Sequence, residues 1–132
     1  MIGGFILDNI HNYWLLAAGV AAGLTTLIHI FGIGPEVVRP LFAAQDIEEV
    51  PKLLNYYCWH LVTITIAAMT FTFTYAALTP GEAMLAIMLT VISGVFALWS
   101  ILLIAWKRQK AIEMPQWILF AAITGLALPG LF

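Results

Sequence analysis

The sequence predicts an all-α integral membrane protein, a bundle of four spanning helices with a short amphipathic helix in its first connection. Three observations carry that expectation. Hydrophobic residues make up 63% of the 132 positions, charged residues 9%, and mean hydropathy is +1.01. A soluble domain would be charged at about a quarter of its positions. Residues 9–35, 53–81, 83–106 and 114–132 carry no formal charge. A membrane helix needs about 20 residues to cross roughly 30 Å of hydrocarbon, so each interval suffices for one crossing and none for two. All 5 basic residues fall in two alternate connections: Arg39 and Lys52 flank the first, and Lys107, Arg108 and Lys110 crowd the third. Positive charge near span ends stays on the cytoplasmic side. Both termini are therefore expected in the periplasm, with loops 34–52 and 107–114 inside.

The chain reads as a single transmembrane domain. Its start, Met1 to Asn12, holds Asp8 and no basic stretch, so a cleavable signal peptide is not expected. The first span is placed near Ile10–Ile33. Gly34-Pro35 then suits a helix that stops and a new one that opens with proline in its first turn. Val37, Val38, Leu41 and Phe42 give this second helix an apolar face for the membrane surface. The acidic cluster Asp46, Glu48, Glu49 follows, read either as a solvated turn or as a docking site or lid. The second span covers Leu53–Leu78, and Thr79-Pro80-Gly81 turns it into an antiparallel hairpin with the third, Ala83–Trp106. The fourth, Pro115–Leu131, is the shortest, with Pro129-Gly130 cutting its end. Trp14, Trp59, Trp106 and Trp117 fall near the interfaces, as an aromatic belt requires.

Polar residues inside spans are costly and usually face the bundle interior. At steps of three and four, which share a helix face, the second span carries Tyr56, His60, Thr63, Ala67, Thr70 and Thr74. The third carries Thr90, Ser93, Ala97 and Ser100, with Trp99 beside them as packing. The first carries Ala18, Ala22, Thr25 and His29, and the fourth Gln116, Phe120 and Thr124. Gly19 and Gly23 add a small-xxx-small pattern through which helices close on one another. The hydroxyl lines read first as hydrogen-bonded glue. His29 and His60 stand at similar depth, roughly 6–12 Å from the cytoplasmic boundary at 1.5 Å per residue. Two such imidazoles hydrogen-bond as structural glue, ligate a metal ion or haem b iron, or handle a proton or contact a ligand. Glu36 would add a carboxylate if the chain folds back at Gly32–Pro35. His11, with Asn12 and Tyr13, is read as an ordinary interfacial cluster.

Composition and motifs narrow the function more than they name it. The net charge of −2 gives no support for nucleic acid, and the lone Cys58 excludes an internal disulfide or a Cys-x-x-Cys site. No phosphate loop, His-Glu-x-x-His or serine–histidine–carboxylate set is present, which argues against an enzyme. Lys107, Arg108 and Lys110 set topology and attract anionic lipid headgroups at about 1 kcal/mol each. The strings His29-Ile-Phe-Gly-Ile-Gly-Pro35, Arg39-Pro40-Leu41 and Tyr57-Cys58-Trp59-His60 with Thr63 resemble a family of small four-span inner-membrane proteins of proteobacteria without assigned activity. The likeness runs from about Thr26 to Thr65 and returns at Pro115-Gln116-Trp117. It implies a bacterial inner membrane, and it groups His29, Pro35, Pro40 and His60 at one cytoplasmic mouth. The expected function is a non-catalytic accessory or partner-binding subunit, oligomeric or part of a larger complex, with a histidine-containing pocket. A haem b or metal protein using His29 and His60 is the alternative, and a small transporter or channel comes third.

Overall fold

The computed structural model describes residues 10–132, and within them the chain is helical without any strand. Asp8 and most of the start read for a signal peptide lie outside the described residues. Helix α1 covers Tyr13–Leu27 and is capped by Asn12, whose side chain accepts a hydrogen bond from the Leu15 amide. A π-helical turn, Ile28–Ile33, leads directly into α2, Gly34–Ala43. Helix α3 spans Glu49–Leu78, α4 spans Ala83–Lys107, and α5 spans Gln116–Ala127 before a closing 3-10 turn, Leu128–Leu131. The all-helical expectation holds, with one change in the first connection.

That change is the absence of a break at Gly32–Pro35. Tyr13–Ala43 forms one helix of 31 residues. Proline inside a helix removes an amide donor and its ring collides with the carbonyl four residues back. The π turn relieves both faults, because pairing shifts to a partner five residues away. Here the Gly34 amide reaches the His29 carbonyl, so Pro35 enters a widened turn instead of ending the helix. The true first connection is Ala44–Glu48, and α3 begins at Glu49, four residues before the expected Leu53. Glu49 lies in the first turn of α3, where a negative charge favours the positive end of the helix dipole.

Three helices, Tyr13–Ala43, Glu49–Leu78 and Ala83–Lys107, are long and apolar enough to cross a membrane. The fourth helical stretch, Gln116–Leu131, is apolar but shorter than a full crossing. Gly81 turns the chain between α3 and α4 with a φ of 91°, a conformation that suits glycine because no Cβ obstructs it. Arg108, also at positive φ, ends α4, and the Gln109 amide returns to the Ile104 carbonyl. That six-to-one bond satisfies a terminal carbonyl that would otherwise be orphaned.

Packing does not follow sequence order. Helix α1 packs mainly on α3, and α5 packs on α4 and on α1, whereas α3 and α4 touch little despite the tight turn between them. The interior is small and hydroxylated. Ala18, Ala22 and Thr25 of α1 meet Ile66, Met69 and Phe73 of α3, with Thr90, Ser93 and Ala97 of α4 also buried. Large apolar side chains such as Met88, Val91, Val95, Leu98 and Leu102 face outward. Inside a bilayer this arrangement is stable, because lipid tails solvate the exterior and small residues let helices approach.

The faces of α1 and α4 that the sequence pattern turns inward are buried. On α3 the face has turned: Ile66, Met69, Phe73 and Ala77 are buried, while Thr63, Ala67, Thr70 and Thr74 lie half-buried at its flank. The threonines tolerate that position because Thr63 and Thr70 donate to carbonyls four residues back and need no outside partner. Gly19 and Gly23 let α1 approach α3 closely. A Cβ at Gly23 would lie 3.3 Å from Thr70 Cγ2, and one at Gly19 would lie closer still to Thr74.

Candidate functional site

At the end of the bundle that carries Lys107 and Arg108, the gap between α3 and α4 becomes a cavity of about 370 Å³. His29 and Ile33 supply its α1 side, Trp59 and Val62 its α3 side, and Phe96, Trp99, Ser100 and Leu103 its α4 side. Met114, Gln116 and Phe120 close it from the last helix. A volume in this range suits a small lipophilic molecule, and such sites combine apolar walls with a few placed polar groups. Trp99 is 58% exposed, so the cavity is not sealed from the surroundings.

His29 is positioned by the π turn, which begins one residue before it. It is 8% exposed. Its ring stacks on Trp59 with centroids 3.9 Å apart and planes 12° apart, and Nε2 lies 3.4 Å from the Trp59 carbonyl. The contact with a carbonyl oxygen favours the tautomer that carries its proton on Nε2. That carbonyl also accepts from Thr63 Oγ1 at 3.0 Å. Trp59, expected in the interfacial belt, is therefore the partner that fixes His29.

Two other polar groups differ from every hydroxyl described so far. Ser100 is 7% exposed, and its Oγ is buried with no hydrogen-bond partner. Gln116 Oε1 is likewise buried and unpartnered. By contrast Ser93 Oγ crosses to the Phe120 carbonyl at 3.0 Å, and Thr90 Oγ1 bonds the Ala86 carbonyl at 2.7 Å. A buried hydroxyl left unpaired costs about 1–3 kcal/mol. One such hydroxyl and one amide oxygen, both on residues that line the cavity, are left unpaired in an otherwise well-satisfied interior.

The remaining expected residues lie elsewhere. His60 is exposed, packs edge-on against Tyr56 at 4.5 Å, and lines a separate groove with Arg39, Pro35 and Thr63 between α2 and α3. The two histidines thus do not share a cavity, although Trp59 borders both. Glu36 stays exposed on α2. With no break at Gly32–Pro35, nothing folds it back toward His29, and among the described residues no three histidine, cysteine or acidic side chains converge on a metal site. Thr25 is buried on the α1 core face and bonds the Ala21 carbonyl. Tyr56 packs against Phe42 of α2. Lys107 lies over the exposed Trp106 ring at 4.1 Å, and Lys110 pairs with Glu113 at 3.3 Å on the surface, a contact worth little in water. The sequence placed Ser100 and Gln116 on the polar inward faces of their spans and Trp99 as packing. The signal available was their depth, level with His29.

No family model, curated protein or solved structure matches the chain.

Proposed function

We propose that this chain is a non-catalytic accessory subunit of the bacterial inner membrane that binds a lipophilic partner molecule in the cavity beside His29. The observation that supports it most is the cavity itself: apolar walls, one histidine clamped by Trp59, and two buried polar atoms awaiting partners. Its polar groups are neutral hydrogen-bonders with neighbours suited to holding a ligand. The test is native mass spectrometry of the protein purified in mild detergent and stripped of loose lipid. One retained small lipophile per chain is expected, and its loss on filling the cavity with Val62→Trp. A bare protein at every detergent strength would overturn the reading.

The alternative, haem b or a metal held by His29 and His60, has the burial of His29 beside a cavity for it and the placement of His60 in a separate groove against it. The same preparation decides it, because haem gives a Soret band that shifts with dithionite and a metal appears in elemental analysis, each lost in His29→Ala and His60→Ala.

The orientation belongs to the same proposal. The basic ends of Tyr13–Ala43, α3 and α4 face the cytoplasm, and Gln116–Leu131 returns the chain to the periplasm, where slight bilayer thinning accommodates its length. In a Cys58→Ser background, Gly81→Cys should react with an impermeant maleimide on intact cells and Gln109→Cys only after permeabilisation. The reverse pattern would invert the topology. Association with further copies or a larger complex would use the apolar exterior, including the open groove that Gly19 and Gly23 line with Val20, Leu24 and Phe71.

A further inference from the structure

The cavity's two orphan atoms restrict what it binds. Ser100 Oγ can donate and accept, whereas Gln116 Oε1 can only accept. Both belong to neutral side chains, and the cavity lining contains no lysine, arginine, aspartate or glutamate. An ammonium, carboxylate or phosphate entering it would lose its water and find no fixed opposite charge, since His29, the titratable side chain of the lining, turns its Nε2 to the Trp59 carbonyl. That cost is far above what two neutral hydrogen bonds return. A pure hydrocarbon would fill the walls and leave both atoms unpaired. A ketone or ester oxygen accepts from Ser100 and offers nothing to Gln116 Oε1. A hydroxyl does both.

We propose that the cavity is a site for a neutral lipophile with a hydroxyl head, which accepts from Ser100 Oγ and donates to Gln116 Oε1 while its apolar body lies against Phe96, Trp99 and Phe120. This inference rests on the ligand-binding reading above and adds the chemical class. Ser100 is placed to report it. The other buried hydroxyls, those of Thr25, Thr90 and Ser93, are already bonded to carbonyls, so removing them costs structure. Removing the unpaired Ser100 hydroxyl relieves the ligand-free fold of a desolvation cost and removes a bond only from the complex.

Trp59 and Trp99 line the cavity, and bromine quenches indole fluorescence on contact. The probes are bromoundecanol, ionised bromoundecanoate and headless bromoundecane, each titrated into protein in saturated phosphatidylcholine nanodiscs. Trp14 and Trp106, both exposed, are replaced by Phe to reduce quenching from the lipid phase. Saturable quenching is expected from the alcohol at concentrations where the other two give only the linear rise of partitioning. Ser100→Ala should weaken the alcohol's apparent affinity about fivefold, the equivalent of one neutral hydrogen bond, while the ligand-free protein is at least as stable as the parent. Gln116→Leu should weaken it similarly, and Ser100→Thr should restore much of the binding. Saturable binding of all three probes, indifferent to Ser100→Ala, would overturn the hydroxyl-head assignment and leave the lipophile cavity standing. Saturation by none would overturn both. A loss of stability in Ser100→Ala equal to its loss of affinity would make the serine structural and overturn its assigned role.

Discussion

Gly19→Val should destabilise the bundle by about 3 kcal/mol, the upper end of what overpacking costs, while Gly125→Ala should be neutral or slightly stabilising. A Cβ built at Gly19 would stand 2.7 Å from Thr74 Oγ1, 3.1 Å from Thr74 N and 3.4 Å from Thr70 O. The first neighbour is a side chain that can turn aside. The other two are backbone of α3 and can retreat only if the helix moves. Valine adds two methyl groups beyond that Cβ, so α1 and α3 must separate along their main contact. A Cβ at Gly125 would meet no atom within 4 Å, and alanine there gains up to about 1 kcal/mol of helix propensity. Denaturation in mixed micelles, followed by tryptophan fluorescence, separates the two. In Gly19→Ala, adding Thr74→Ala should recover the part due to Oγ1 and leave the part due to the amide. A Gly19→Val protein as stable as its parent would mean that α1 and α3 do not approach this closely.

How much of this was legible beforehand varies by element, for physical reasons. The helices were legible because bilayer thickness sets their minimum length and charge marks their ends. Three of the helical stretches, Glu49–Leu78, Ala83–Lys107 and Gln116–Leu131, fall within a few residues of the expected bounds. The α1 and α4 interior faces were legible because small and hydroxylated residues recur there at helical spacing. The α3 face was not, since a threonine that bonds its own carbonyl carries no obligation to face inward, and the Ile66–Met69–Phe73 line competes with the threonines at the same period. Pro35 was misleading for a local reason. Whether proline ends a helix depends on the register of the turn before it, and a π turn cannot be read from composition. The cavity was invisible as a cavity. His29 and Ser100 could be placed at one depth, but that α3 and α4 stand apart there follows from the packing of α1 and α5 between them. His60 illustrates the limit of the depth argument, because it lies near the level of His29 yet on another side of α3.

Asn12→Leu is expected to cost about 2–3 kcal/mol, a large effect for a residue the sequence placed in an ordinary interfacial cluster. Asn12 caps α1 through Oδ1, which accepts from the Leu15 amide at 3.1 Å, and its Nδ2 donates to the Gly130 carbonyl at 2.6 Å. Its own amide, with that of His11, donates to the Ala77 carbonyl at the end of α3. One residue thereby ties the start of α1 to the ends of α3 and of the closing 3-10 turn. Loss of an N-cap costs about 1 kcal/mol, and stranding the half-buried Gly130 carbonyl adds about 1–2 kcal/mol. Leucine also brings a branched side chain to a place where a Cβ on Gly130 would already stand 2.9 Å from both Asn12 Oδ1 and Leu15 Cγ. Asn12→Ser separates the contributions, since serine still caps the helix but is too short to reach Gly130. It should show about half the loss in the same micelle titration. Hydrogen exchange should quicken at Gly130 and Leu131 in both variants and in the first turn of α1 only in the leucine variant. If the serine and leucine variants unfold alike, the cap contributes nothing and the tie to Gly130 carries the whole effect. If serine matches the parent, that carbonyl is solvated in the membrane interface and the end of the chain is held by its packing on Leu15 alone.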